Sequence, residues 1–294
     1  MATKQKTSGK RKPSASSKGA AVKGKTSRKS SRRQSAATKK EVPIWLRKTV
    51  AVALALALCF LFYLLFIRPY SYRWRPCSTG KSYGVCVPCS FDVHGLDVSH
   101  YQGDVNWDQL QKNNLEEEHP LSFVFLKATE GTDLKDETYQ KNLDGARQAG
   151  LKCGAYHFFS PYSDPKEQAR FFIDNAGLGS GDLPPVLDVE NKGKLSREEL
   201  SSRVLQWMEA VERHYGVRPI LYTSHKFRER YLSDERFEAY PYWIAHYYVD
   251  QVRYEGPWTF WQYSDLGLVP GVGTQVDMNV FNGTAETLSN LLIP

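Results

Sequence analysis

Four carboxylates stand where short apolar runs of the sequence end. Asp97 closes Gly95-Leu96-Asp97-Val98-Ser99, Asp188 and Glu190 close Pro184-Pro185-Val186-Leu187-Asp188-Val189-Glu190, and Asp277 lies in Val276-Asp277-Met278-Asn279. Side chains alternate along an extended segment, so Asp188 and Glu190 face the same side with Cα atoms about 6.5 to 7 Å apart. Two like charges that near raise the pKa of at least one of them. A carboxyl that keeps its proton near neutrality is a general acid, and an ionised neighbour steadies developing positive charge. Glycoside hydrolysis is the reaction class that most often uses such a pair; the spacing lies between those of retaining and inverting pairs and leaves the stereochemistry open. An Asp-x-Glu pair also occurs as an exposed strand end without chemistry. A metal site would use the same acids with His94, His100, His157 and His246, but no His-x-x-x-His or similar spacing accompanies them, so neither metal nor other cofactor is expected.

The elements that must position these acids are readable from Phe91 onward. Apolar runs at His94–Ser99, Ser122–Ala128, Gly154–Phe159, Pro185–Glu190 and Pro219–Thr223 alternate with helical spacing over Trp107–Asn113, Glu137–Ala149, Pro165–Ala176 and Ser196–Tyr215. Strands alternating with helices imply parallel pairing through right-handed crossovers. Three more strand-like runs follow, Tyr242–Tyr247, Thr259–Ser264 and Val276–Phe281, with little helix between them. The sum is an α/β fold of about eight strands, a (β/α) barrel that loses its helices near the end, and such barrels carry reactive groups at the C-terminal ends of their strands.

Ahead of the barrel the composition changes twice. The formal charge of +7 hides an asymmetry: residues 1–48 hold 16 Lys and Arg against the single acid Glu41, leaving 23 basic and 31 acidic groups in the rest. Residues 1 to about 43 are mostly Lys, Ser, Gly, Ala and Thr with hardly a large apolar side chain, so residues 1–46 read as a disordered basic tail. The tail lacks aromatic residues up to Trp45 and resembles a contact for anionic lipid rather than for nucleic acid. Thr49 to Ile67 carries no charge and is long enough to cross a hydrocarbon core of roughly 30 Å, which predicts a transmembrane helix over residues 47–69. A buried core helix and a cleaved signal peptide are the competing readings, but so uniformly apolar a run leaves no polar face for water, and Arg68-Pro69-Tyr70-Ser71-Tyr72-Arg73-Trp74 reads as an interfacial collar and not as a small-residue cleavage site. The positive-inside rule then places the N-terminus in the cytoplasm and everything after residue 70 beyond the cell (inner) membrane. Residues 70–90 form a linker containing Cys77, Cys86 and Cys89, which with Cys153 would meet an oxidising compartment as structural disulfides, with three pairings open. Cys86-Val87-Pro88-Cys89 could also serve redox or zinc chemistry, but no second close pair accompanies it.

Six strings in order resemble the family 25 glycoside hydrolases, lysozymes that act as N-acetylmuramidases. They are Gly95-Leu96-Asp97-Val98-Ser99-His100-Tyr101-Gln102-Gly103, Phe125-Leu126-Lys127-Ala128-Thr129-Glu130-Gly131, Gly154-Ala155-Tyr156-His157-Phe158-Phe159, Asp188-Val189-Glu190, Trp261-Gln262-Tyr263 and Val276-Asp277-Met278-Asn279. The resemblance covers about residues 91–283 and implies a flattened TIM-like (β/α)5(β)3 barrel, here over residues 91–294. It implies hydrolysis of the bond between N-acetylmuramic acid and N-acetylglucosamine in peptidoglycan glycan strands, with Glu190 as general acid. It further implies a retaining, substrate-assisted mechanism in which Asp188 steadies an oxazolinium intermediate while Asp97 and Asp277 shape the field. Tyr156 matches a position near the acetamido group, and Tyr101, Trp243, Gln262 and Tyr263 are candidates for sugar contacts, each an aromatic or amide that packing alone could also explain. Lys127 and Glu130 stay outside this catalytic set as a pair that shapes the pocket or satisfies itself. A glycan-binding or scaffold protein using the same groove without turnover is the alternative, and the complete set of acids argues against it.

Overall fold

A computed structural model describes residues 42–68, 81–88 and 90–294, in two compact units that part after Ile67. The first unit is a helix, α1 (Ile44–Phe62), that runs on into a π-helical turn over Tyr63–Ile67. Pro43 precedes it with extended backbone, as suits a residue that lacks an N–H and fixes φ. No side chain of the helix is buried, and its mean hydropathy reaches 2.9 over the most apolar window, so by length and composition it can cross a bilayer. The helix begins three residues before the expected span, taking Arg47 and Lys48 into its first two turns. Residues 1–41 of the expected tail, and 70–80 and Cys89 of the expected linker, lie outside the described residues.

The second unit is a closed barrel of eight strands: β1 (Val93–Val98), β2 (Leu121–Glu130), β3 (Lys152–Phe158), β4 (Val186–Asp188), β5 (Ile220–Ser224), β6 (Tyr242–Ala245), β7 (Phe260–Gly267) and β8 (Val276–Phe281). Strands β1 to β7 are parallel to their neighbours in chain order, and β8 returns antiparallel between β7 and β1. The sequence had implied parallel pairing; with no helix between β7 and β8, the short connection leaves only the antiparallel hairpin geometry. Helices α2 (Trp107–Asn114), α3 (Tyr139–Gln148), α4 (Pro165–Ala176), α5 (Arg197–Tyr215) and α6 (His225–Tyr231) follow the first five strands, and α7 (Ala285–Ser289) follows β8. The local signals are ordinary ones: Asp164 caps α4 with Pro165 in its first turn, and Ser196 and Glu199 form a reciprocal capping box on α5. The short α6 was not expected from the periodicity, and Ser224 caps it by accepting from the Phe227 N–H.

Alternation along each strand divides the core into two layers. Inward side chains, Phe123, Phe125, Trp243, Phe260 and Phe281 among them, plug the barrel, with Phe125 stacked on Trp243 at 4.5 Å between ring centroids. Outward side chains such as Leu96, Val124, Leu126, Val189, Trp261 and Tyr263 pack in one cluster with Leu143, Phe172, Val204 and Trp207 of the helices. The plug is wide enough to need gaps in the wall. A Cβ on Gly95 would lie 2.5 Å from the Phe123 ring, and one on Gly154 would lie 2.5 Å from the Phe125 ring.

Beside β7, where helices are missing, a hairpin of Lys81–Ser82 and Val85–Cys86 packs instead. The Leu268 N–H donates to the Tyr83 carbonyl at 2.8 Å, the Tyr83 hydroxyl donates to Asn114 Oδ1 at 2.9 Å, and the Ser82 hydroxyl donates to Glu117 at 2.5 Å. Cys86 is disulfide-bonded, and Cys77 and Cys89 lie outside the described residues. Cys153 corrects the expectation that all four cysteines would pair: β3 turns it into the layer under the helices, where it is a buried free thiol.

Gly154→Ala tests the tightness of the plug. The added methyl has no room beside Phe125 and Leu183, so it is expected to destabilise the barrel by about 1 to 3 kcal/mol. Denaturant unfolding followed by tryptophan fluorescence checks this, and an unchanged midpoint would show the plug to be loose.

Candidate active site

All four acids meet at one mouth. Asp97 is near the end of β1 and Asp188 ends β4, while Asp277 is the second residue of β8. Because β8 runs the other way, its beginning lies beside the ends of the others, and the register pairs Asp277 directly with Asp97. Strand β4 stops at Asp188, two residues before the expected end. The ladder nevertheless continues, since the Val189 N–H donates to the Tyr222 carbonyl at 2.9 Å and its own carbonyl accepts from the Thr223 hydroxyl at 2.5 Å. Val189 is buried in the outer layer, so Asp188 and Glu190 both turn into the cleft.

The cleft has a volume of about 470 Å³ and takes in the four acids with Tyr101, Tyr156, Trp243 and Gln262. Tyr263 is the expected contact that the structure places elsewhere. Its neighbours on β7 alternate, Gln262 pointing inward, so Tyr263 points outward and packs 5.9 Å from Trp261 between centroids. Tyr101 is 76% exposed and lies over His100 at the rim. Trp243 is buried, and its indole N–H donates to Asn279 Oδ1 at 2.8 Å. Tyr222, Tyr247, Gln102 and Phe158 also line the cleft and were not expected from the sequence. Tyr247 carried a usable signal, since it closes the apolar run that becomes β6, whereas Tyr222 lies inside a run and looks like packing. The next residue, Tyr248, holds φ at 64°, a left-handed backbone that costs of order 1 kcal/mol or more in a bulky residue.

A chain of amides and hydroxyls fixes Asp97. Its Oδ1 accepts from Gln262 Nε2 and from Asn279 Nδ2, both at 2.7 Å. The Gln262 oxygen in turn accepts from the Tyr222 hydroxyl at 2.7 Å and from the Tyr247 hydroxyl, so both amides are oriented by donors at their other ends.

Asp97, Asp188, Glu190 and Asp277 are all raised above the ordinary carboxylate range. Burial pushes Asp97 up to about 7, with the Glu190 charge adding and the Asn279 and Gln262 bonds opposing. Burial pushes Asp277 up to about 9, helped by the charges of Asp97, Asp265 and Glu190. Asp188 is raised by burial first and then by Glu190 and Asp97, and its buried Oδ1 has no hydrogen-bond partner among the described residues. Glu190, more open at the rim, is raised by loss of solvent around its carboxyl, while a Tyr222 hydrogen bond and the Lys127 charge oppose the shift. Lys127 and Glu130 form the ion pair anticipated for them, 2.7 Å apart, and both line the cleft. Of the histidines weighed as metal ligands, His157 is committed to Thr129 at 2.7 Å and Gln168 at 3.1 Å behind the barrel wall.

A barrel mouth that gathers several carboxyls, each pushed by burial and by its neighbours toward holding its proton, is the equipment of a glycoside hydrolase. The chain belongs to the family described as Glycosyl hydrolases family 25, which it matches over residues 96–272. YegX of Escherichia coli (strain K12) is 43% identical over 221 residues, 74% of this chain and 78% of that one. Lysozyme M1 of Streptomyces globisporus is 36% identical over 211 residues, 67% of this chain and 70% of that one. The crystal structure of the bacterial lysozyme from Streptomyces coelicolor shares the fold with a TM-score of 0.62 and 36% identity, over 68% of this chain and 96% of that one.

The raised acids make stability depend on pH in a stated direction. A carboxyl whose folded pKa lies above its unfolded one stabilises the fold fully below the ordinary carboxylate range and loses that contribution as pH rises through the folded value. For Asp97 and Asp277 the loss runs up to about 7 and about 9. Asp277→Asn imitates the protonated form, so it should melt with the wild type at pH 4 and about 3 °C or more above it at pH 8. Equal differences at both pH values would show that Asp277 ionises normally.

Proposed function

We propose that this hydrolase cleaves the β-1,4 bond between N-acetylmuramic acid and N-acetylglucosamine in peptidoglycan, with Glu190 as its acid and base. The observation that carries the reading is the turn of Asp188 and Glu190 into one cleft beside Asp97 and Asp277. Relatives named lysozyme and N,O-diacetylmuramidase support the substrate class.

Glu190 is the acid nearer water and has the raised pKa that a proton donor needs. It gives its proton to the glycosidic oxygen as the bond to the anomeric carbon breaks. The 2-acetamido carbonyl of the muramic residue attacks that carbon from the other face and forms an oxazolinium, positive at nitrogen. Asp188, whose buried Oδ1 has no partner among the described residues, receives this N–H and its charge. The charge is absent from the ground state, so an anion held there stabilises the transition state selectively. Glu190, now a carboxylate, takes a proton from water as the water opens the oxazolinium, and the configuration is retained. Tyr156, enclosed beside the acids, borders the acetamido group, and Asp97 and Asp277 hold the field beneath the sugar. Tyr101, Trp243 and Gln262 contact the glycan.

The same proposal places α1 across the cell membrane as an anchor, with Arg47 and Lys48 on the cytoplasmic side and the barrel on the outer side. Tethering would hold the enzyme beside its polymer and raise its effective concentration there.

Two measurements test these statements. Purified peptidoglycan incubated with the full chain in detergent should release fragments with new muramic reducing ends, and Glu190→Gln should lower the rate by about 10²-fold or more. Release of N-acetylglucosamine reducing ends, or a Gln variant of undiminished rate, would overturn the assignment. Proteinase added to intact spheroplasts should remove the barrel while an epitope on the N-terminus stays protected; loss of the epitope alone would reverse the topology.

A further inference from the structure

We propose that Lys127 is a positioning residue of this reaction, whose ammonium, fixed inside the cleft, holds negative charge on the Asp188 and Glu190 pair and sets the pH at which the pair divides into one acid and one anion. The proposal rests on the hydrolase reading above and adds a residue to it.

The argument begins with placement. Lys127 lies on β2 two residues beyond Phe125, on the inward face, and its side chain is only 9% exposed. Its ammonium is 2.7 Å from Glu130 Oε2 and 5.0 Å from the centre of the Phe158 ring. An ammonium is a compact, strongly hydrated charge, and withdrawing it from water is unfavourable unless anions replace the water. Glu130 accepts one of its three donors and is itself 38% exposed at the rim. That pair would be satisfied equally well on the surface. Its place inside the cleft is what needs a reason.

The neighbours supply one. Among the described residues that line the cleft, Asp97, Glu130, Asp188, Glu190 and Asp277 are acids, and Lys127 is the only Lys or Arg. Glu130 faces it from its own strand. From β3 come Tyr156, its register partner, and His157, which burial keeps neutral with a further push from Lys127. From the end of β4 come Asp188 and Glu190, both drawn back toward the ionised form by Lys127 against burial. Asp97 comes from β1, the neighbouring strand on the other side, where it is the register partner of Phe125, and Asp277 from β8 beyond it. Without a cation, burial and mutual repulsion would drive protons onto both members of the pair. Asp188 would then be neutral when the oxazolinium needs an anion.

The test is the pH profile of kcat/KM on peptidoglycan for the full chain in detergent, comparing wild type, Lys127→Met and Lys127→Arg. Met is close to Lys in volume and removes the charge. Both limbs of the Met profile should move to higher pH by about one unit, the acid limb because Asp188 ionises later and the alkaline limb because Glu190 keeps its proton longer. The Arg variant should keep the wild-type limbs. A Met variant that is slower with both limbs unmoved would overturn the proposal and leave Lys127 as pocket support. Carbon-13 titration of the Asp188 and Glu190 carboxyls by NMR reads the same shift without turnover. An upward shift there with an inactive wild type would sink the hydrolase reading, and with it the role in this reaction, while the hold of Lys127 on the pair's charge would stand; no shift would sink the proposal whatever the activity.

Discussion

Asp97, Asp188, Glu190 and Asp277 repel one another across a mouth that excludes much of the surrounding water, and each is pushed toward its protonated form. Repulsion of this kind is destabilising for any fold and tolerable only when something holds the acids together. Here the restraint is the hydrogen-bonded closure of the barrel. Strands β1, β4 and β8 deliver the acids, and their backbone ladders cannot splay without opening the barrel. The amide chain through Gln262 and Asn279 then fixes one oxygen of Asp97, so the arrangement is oriented as well as crowded.

What keeps the ladders in place is the aromatic plug beneath the mouth. Phe125, Trp243 and Phe260 meet at 4.5 to 5.2 Å between ring centroids, and the wall glycines at 95 and 154 let those rings sit without distortion. Trp243 joins the two halves of the interior, with its ring in the plug and its N–H on Asn279, one bond from Asp97. Packing below and polarity above are thereby coupled through one side chain.

Most of this was legible in the residues, for physical reasons that can be named. The strands that carry acids are apolar runs ended by a charge, a pattern that follows from a buried strand emerging into a polar mouth. Helices with Ser or Asp at their starts and an apolar face at period 3.6 were equally visible, and α4 falls where the periodicity placed it. What was not legible depends on direction. The reversal of β8 leaves no trace in composition, since Val276-Asp277 reads the same at either end of a strand; only the short connection after β7 hints at it. Tyr263 shows the related difficulty from the other side: an aromatic in a strand does not announce which face it takes until the register is known, and the inward turn of Gln262 decides the matter. Tyr222 was hidden by the opposite disguise, a functional hydroxyl on a ring that fills the interior. Cys153 looked like part of a disulfide framework because the composition reports a compartment and not a direction.

The pairing of Asp277 with Asp97 joins the last strand to the first. A ribosome delivers these two residues 180 positions apart in time, and a contact of such long sequence separation forms late. The acid cluster therefore has no existence in any nascent or partly unravelled chain. Loss of β8 alone opens the seam, removes one acid and frees another from its partner strand. For a glycoside hydrolase of this family, this makes folding itself the arming step: the chain has no acid cluster to work with until the barrel is whole.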